Sequence, residues 1–133
     1  MQDKYLCFGE YIRKKRLADP RALTMKDVAS HLGISVSYVS SVETRVKRPF
    51  DGETLVRLAE FLNLSASETA IMFDIAARET HEVPFDIEDT FAHERIGDLA
   101  RHALRLSKIG VIREEDWKNF IRQMEERGQQ QVL

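Results

Sequence analysis

The stretch LTMKDVASHLGISVSYVSSVE, residues 23–43, decides the fold that we expect for this chain. Thr24 and Asp27 have the spacing of a capping box, which starts a helix by satisfying its first backbone N–H groups. Gly33 can take the left-handed conformation that ends this helix, and Ser35 is a favourable cap for the next one. The stretch therefore predicts two short helices joined by a tight turn.

The apolar residues of the two helices indicate how they pack. The inward positions are Val28, Ala29, Leu32, Val39 and Val42. Ala29 is small at a point where two crossing helices must approach closely, and Ile34 adds an apolar residue in the turn after Gly33. A small residue, a glycine and an apolar turn residue together favour a helix-turn-helix over an ordinary helical hairpin.

The rest of the chain also has helical periodicity. Further helices are predicted at about 7–18, after the break at Pro49 and Asp51, and from the capping box Ser65–Glu68 to about Glu79. The polar break HEVPFD, residues 81–86, is the best boundary in the chain. Two more helices follow, each with one apolar stripe, and the last is expected to end at Gly128.

Length and composition fit a soluble globular protein. The 133 residues suit one domain, or one small domain with an appendage. No apolar run approaches the roughly 20 residues that cross a bilayer, and the N-terminus lacks the pattern of a secretory signal. The single cysteine, Cys7, excludes an internal disulfide and is interpreted as a small buried apolar residue.

The net charge of −2 conceals an asymmetry. Residues 1–50 carry ten Lys and Arg against five Asp and Glu, a net charge of +5, and the remaining 83 residues carry −7. A basic N-terminal half is attracted to a polyanion, while the acidic half suits solvent or a protein partner.

These motifs resemble the Xre/Cro family of bacterial and phage helix-turn-helix regulators, over roughly residues 8–64. The resemblance implies an all-α fold: a five-helix, lambda-repressor-like domain, followed here by a small helical C-terminal extension. Family members commonly pair an arginine late in the first helix with a glutamate that closes the third. Arg16 and Glu43 match those places as a structural ion pair, with Arg13 as the alternative partner because LADPRA contains a two-residue insertion.

Two residues depart from the family pattern. Arg45 stands where the family usually has glycine. If the turn needs a left-handed residue there, arginine costs roughly 1–2 kcal/mol, and a different path of the loop is the alternative. Met25 replaces a glutamine that often opens the family's second helix and can hold a phosphate. That task falls to Lys26 and to the backbone N–H groups at the helix N-terminus.

The resemblance further implies that helix 35–44 enters the major groove of double-stranded DNA. The expected base-reading residues are Val36, Ser37, Ser40, Ser41 and Thr44. The expected phosphate contacts are Lys26, Tyr38, Arg45, Lys47 and Arg48. No Asn, Gln or Arg precedes Arg45 on this face, so specificity should depend on DNA shape and water as well as on direct hydrogen bonds.

The residue pattern offers no other chemistry. The four histidines lack the spacing of a zinc site, and the chain has no phosphate-binding glycine loop, nucleophile motif or paired catalytic carboxylates. We therefore expect no metal, no cofactor and no enzymatic activity.

The chain is expected to divide into a DNA-binding domain, 1–82, and a helical extension, 83–133. Residues 85–133 can serve dimerisation, bind a protein partner or complete the core, and dimerisation is preferred because one helix-turn-helix makes a small footprint on DNA. The preferred function is a homodimeric, sequence-specific repressor, cytoplasmic and associated with the nucleoid, without a membrane contact. The alternative is a protein-interaction module, similar to an antitoxin or an adaptor, that uses the acidic C-terminal helices.

Overall fold

The computed structural model describes residues 2–132, and the prediction of an all-α fold is confirmed for them. Their eight α-helices are α1 Phe8–Ala18, α2 Met25–Leu32, α3 Val36–Glu43, α4 Gly52–Phe61, α5 Ala66–Thr80, α6 Glu88–Ala92, α7 Ile96–Lys108 and α8 Glu114–Val132. Short 3-10 helices lie at Asp3–Tyr5 and Phe85–Ile87. None of the helices in this part of the chain combines the length and apolar character needed to cross a bilayer.

The helix starts follow local side-chain chemistry. Thr24 Oγ1 accepts a hydrogen bond from the N–H of Asp27 at 3.1 Å, and the Asp27 carboxylate accepts one from the N–H of Thr24 at 2.8 Å. Ser65 and Glu68 form the same capping box at α5, and Asp51 caps α4 by accepting from the N–H of Thr54. These caps satisfy donors that would otherwise lie unpaired at the helix ends.

The chain forms two compact units, one within Met1–Glu88 and one within Asp89–Leu133, here called the N-terminal and the C-terminal unit. The domain boundary after residue 82 stays a prediction. In the N-terminal unit, α1 packs against α3 and α5, and α2 packs against α3 and α4. One apolar core joins these five helices; its least exposed members are Tyr11, Phe8, Leu58, Met72, Ile75, Val39 and Val42.

Gly9 sets the distance between α1 and the C-terminal end of α3. A Cβ atom on Gly9 would lie 2.4 Å from the carbonyl oxygen of Glu43 and 2.6 Å from that of Val42. Because both neighbours are backbone atoms, they cannot rotate away. Glycine therefore permits a close contact that no larger residue would allow without shifting α3.

Three details differ from the expectations. Cys7 is half-buried rather than buried, and it caps α1: its sulfur accepts from the N–H of Glu10 at 3.4 Å and its thiol donates to the Glu10 carboxylate at 2.9 Å. The short helices at Phe85–Ile87 and Glu88–Ala92 follow Pro84 directly, within and after the predicted break. Helix α8 continues past Gly128 to Val132, because a glycine inside a long helix costs only about 1 kcal/mol.

The C-terminal unit has few buried side chains. Trp117 Nε1 donates to Ser107 Oγ at 2.9 Å, which ties α8 to α7. Of the residues that α7 contributes, only Gly97 is buried, against the backbone of Phe91. Large apolar side chains remain exposed on this unit: Ile96, Leu99, Leu104, Ile109, Val111, Phe120 and Ile121.

Candidate nucleic-acid interface

Helices α2 and α3 are joined by the tight turn at residues 33–35. Gly33 is left-handed, with φ of 69°, and the N–H of Ile34 donates to the carbonyl of Ala29 at 3.0 Å. Ile34 packs against the core, and Ser35 Oγ then accepts from the N–H of Tyr38 at 3.0 Å. The turn residues thus fix the angle at which α3 leaves α2.

Helix α3 has a sharply divided surface. Val39, Val42 and Glu43 are buried, and they form its inner face. Of the predicted base-reading residues, Val36, Ser37 and Thr44 are exposed, whereas Ser40 and Ser41 are half-buried. The structure therefore places all five away from the fully buried face, with unequal access to solvent.

The hydroxyl of Thr44 is already engaged. Its Oγ1 donates to the carbonyl of Ser40 at 2.8 Å at the C-terminal end of α3. A hydroxyl that donates its proton can still accept hydrogen bonds. In this conformation, Thr44 Oγ1 is left with acceptor capacity only, while the exposed Ser37 can donate or accept.

The two residues expected to form the structural ion pair lie in contact. Arg16 donates from Nε to Glu43 Oε2 and from Nη2 to Glu43 Oε1, both at 2.9 Å, and from Nη1 to the carbonyl of Leu23 at 3.0 Å. Both side chains are buried, and hydrogen bonding to the carboxylate raises the pKa of Arg16. The alternative partner, Arg13, is exposed. The pair fastens the end of α3 to α1 and to the loop before α2.

The turn after α3 is left-handed despite its arginine. Arg45 has φ of 68°, and the Ser41 carbonyl accepts from the N–H groups of Val46 and Lys47 at 2.8 and 3.0 Å. The alternative of a loop path that avoids this conformation is wrong, because Arg45 itself adopts it. The turn projects Arg45, Val46 and Lys47 into solvent, with Val46 76% exposed.

Lys26, another predicted phosphate contact, lies at a helix start where neighbouring groups disfavour an anion. Lys26 is exposed beside Asp27, whose pKa is lowered by the N–H of Thr24, so an ionised carboxylate occupies the start of α2. The capping box uses the N–H groups of Thr24 and Asp27, which leaves those of Met25 and Lys26 for a phosphate. The start of α2 therefore has fewer free N–H groups and more negative charge than an uncapped helix start, which disfavours an anion there.

Tyr38 and the basic turn are in contact. The ring of Tyr38 packs on Phe50, with ring centres 5.5 Å apart, and the Lys47 ammonium lies 5.7 Å from the Tyr38 ring centre. Arg48 Nη2 donates to Glu82 Oε1 at 3.0 Å in an exposed ion pair. Sequence reasoning missed Glu82, since nothing in the local sequence links residues 34 positions apart.

Within residues that the structure describes, no cluster of three or more histidine, cysteine, aspartate or glutamate side chains is arranged to hold a metal ion. The arrangement around α3 combines an uncharged, short-chained helix face with an adjacent basic turn. This arrangement can contact base edges and phosphates, respectively.

Comparison with protein families agrees with this geometry. The helix-turn-helix family model matches residues 12–68, which run from the middle of α1 to the start of α5. The resemblance to the Xre/Cro type is thereby confirmed, and the family is DNA-binding and non-enzymatic. No curated protein and no solved structure matches the chain.

Proposed function

Since residues 12–68 form an Xre/Cro-type helix-turn-helix domain, a DNA-binding fold, we propose that the protein is a sequence-specific transcriptional regulator that inserts α3 into the major groove. The observation that carries this proposal is the exposed, uncharged face of α3, followed directly by the solvent-projecting turn of Arg45, Lys47 and Arg48. DNA binding would place the protein in the cytoplasm with the chromosome.

Base recognition is proposed for Val36, Ser37, Ser40, Ser41 and Thr44. Serine and threonine hydroxyls contact several bases without strict preference, and Val36 suits a thymine methyl group. Such short side chains require the helix backbone to lie close to the base edges. The proposed specificity is therefore shared with the sequence-dependent shape of the DNA.

Phosphate contacts are proposed for Lys26, Tyr38, Arg45, Lys47 and Arg48. Lysine and arginine neutralise phosphates and release counterions, so the contacts set affinity and its dependence on salt. Arg48 must leave Glu82 to contribute. Because the pair is solvent-exposed, this exchange costs little, about 0–1 kcal/mol.

The experiment is selection of bound duplexes from a random pool, followed by titration of the selected site over a range of salt concentrations. Lys47→Gln should weaken binding to all sequences alike and reduce the salt slope by about one. Ser37→Ala should change the preferred sequence at one or two positions. Lys118→Gln, on α8 and also exposed, is the matched charge control. Absence of salt-dependent retention of any duplex would contradict the proposal.

Homodimerisation is proposed through the C-terminal unit, whose apolar side chains are exposed over both α7 and α8. Exposed apolar patches larger than a few hundred Å² mark interaction sites. In this proposal residues 1–82 bind DNA and residues 83–133 join two copies, so that two α3 helices reach half-sites about 10 bp apart.

Light scattering coupled to size-exclusion chromatography tests the dimer. Leu99→Glu and Phe120→Glu should each shift the protein to the monomer mass, whereas Lys108→Glu, on the same helix as Leu99, should not. A wild-type monomer at micromolar concentration would overturn the dimer. The exposed face would then belong to the alternative function, in which another protein binds residues 85–133.

A repressor is the proposed direction of regulation. A dimer bound across a promoter excludes RNA polymerase by steric overlap, without any further contact. Transcription in vitro from a promoter that contains the selected site should fall as the protein is added. A rise in transcript would identify an activator instead.

A further inference from the structure

A cleft beside α3 has the dimensions of a ligand site. Its volume is about 310 Å³, at the lower end of the range for small-molecule pockets. It lies entirely within the N-terminal unit, between the Arg48–Gly52 loop, the C-terminal half of α5 and the segment that follows α5. Tyr38 of α3 belongs to its lining, so the cleft adjoins the proposed DNA interface.

Four aromatic residues belong to the lining, namely Tyr38, Phe50, Phe73 and Phe85. Phe50 and Phe73 are buried, while Tyr38 and Phe85 are 37% and 42% exposed. The rings of Phe73 and Phe85 are stacked, with centres 6.3 Å apart. A Cβ atom on Gly52 would collide with the Phe85 ring, so the absence of a side chain at position 52 gives that ring its space.

The charged lining is predominantly acidic. Asp51, Glu82 and Glu88 line the cleft with a single cation, Arg48, and that guanidinium is already paired with Glu82 at 3.0 Å. Aromatic faces attract cations, quaternary ammonium groups above all. The Lys47 ammonium at 5.7 Å from the Tyr38 ring centre shows that this ring already has a cation nearby.

We propose that this cleft binds a small organic cation, a quaternary or protonated amine carrying an aromatic or alkyl group. Its apolar part would pack on Phe50, Phe73 and Phe85, and its positive charge would lie among the carboxylates. An anion of the same size would meet an excess of negative charge, so the site discriminates by the sign of the ligand's charge.

Occupancy would also act on DNA binding, and this second step rests on the proposed function. A cation drawn to Glu82 competes with Arg48 for the carboxylate and releases the guanidinium towards a phosphate. The positive charge of the bound cation also attracts the DNA polyanion, which increases DNA affinity as well. The cation should therefore increase DNA affinity, by no more than about fivefold, the range that an exposed ion pair supports.

The binding test uses benzyltrimethylammonium, followed by NMR of the full-length protein without DNA. Saturable shifts should be confined to amides of the cleft, such as those of Phe50, Thr80 and Phe85. The dissociation constant should be on the order of 0.1–1 mM for a ligand of about ten non-hydrogen atoms. Phenylmethanesulfonate, of similar size and opposite charge, should bind at least about tenfold more weakly.

Variants separate the two parts of the site. Phe85→Ala and Glu82→Gln should each weaken cation binding by about two- to fivefold, whereas Glu60→Gln, an exposed residue of α4 outside the lining, should leave it unchanged. Three results would each overturn the proposal. They are equal affinity for the two probes, shifts confined to another surface, and no saturation at a cation concentration of about 10 mM.

DNA titrations with and without the cation then test the coupling. Glu82→Gln alone should raise DNA affinity and reduce the response to the cation, because Arg48 is then already free. Cation binding without any DNA binding would overturn the proposed function and leave the cleft assignment intact. DNA binding without cation binding would overturn the cleft assignment alone.

Discussion

The buried pair of Arg16 and Glu43 makes the most demanding prediction. Glu43→Gln keeps the size of the side chain and removes its charge. Arg16 then remains buried, with the carbonyl of Leu23 and at best one amide oxygen as acceptors, in place of two carboxylate oxygens at 2.9 Å. Breaking a buried ion pair on one side costs about 3–5 kcal/mol. Because small domains are stable by about 5–15 kcal/mol, the N-terminal unit should become marginal.

The assay is urea unfolding followed by NMR, with the amides of Tyr11 and Val39 reporting on the N-terminal unit alone. With a slope of about 1–2 kcal/mol per M, the midpoint should fall by about 1.5 M or more. Glu82→Gln is the matched control: the same substitution in the exposed pair with Arg48 should cost about 0–1 kcal/mol.

A loss below about 1 kcal/mol for Glu43→Gln, indistinguishable from the control, would refute this reasoning. The double variant Arg16→Met, Glu43→Leu adds a further check. Replacing a whole buried pair by apolar residues is often neutral, so the double variant should recover much of the loss. Only the carbonyl of Leu23 would then lack its donor.

Three further predictions use the same unfolding assay. Gly9→Ala should destabilise by about 1–3 kcal/mol, because the new methyl group overlaps the carbonyl of Glu43; a neutral result would mean that α1 can shift freely. Arg45→Gly should stabilise by about 1 kcal/mol by relieving the positive φ, while DNA affinity falls with the lost charge. Lys15, 2.8 Å from Glu68, and the N–H of Ser65 hold the pKa of Glu68 at about 2. Its stabilisation is complete above the ordinary value of 4.5 and is lost as pH falls towards 2, so Glu68→Gln should flatten the dependence of unfolding free energy on pH in that interval.

Features fixed by neighbouring residues could be predicted from the sequence. The capping boxes at Thr24 and Ser65 and the glycine turn at Gly33 each involve groups within five positions of one another, so the starts of α2, α3 and α5 follow from local chemistry. Apolar spacing then assigns the inner face of each helix. The contact of Arg16 with Glu43, 27 residues apart, was expected from the family resemblance and not from any local signal.

Features fixed by the packing of distant segments could not be predicted. The need for glycine at position 9 arises only when α3 is placed against α1. The cleft requires α3, the loop before α4 and the segment after α5 to converge, and Glu82 is 34 residues from Arg48. A left-handed Arg45 was expected to be costly, but the surrounding hydrogen bonds hold the turn in this conformation.

Because the side chains on the exposed face of α3 are short, recognition of bases depends more on the position of the helix than on the chemistry of these side chains. A serine reaches base edges only if the helix backbone lies close to them, and a small displacement would remove several such contacts together. The helix is fixed at its start by the turn around Gly33 and at its end by Gly9 and the Arg16–Glu43 pair. Substitutions at Gly9 or Glu43 should therefore reduce sequence preference even under conditions where the protein remains folded. Loss of Lys47 should reduce affinity and leave the preference intact, because phosphate contacts carry no direct base information.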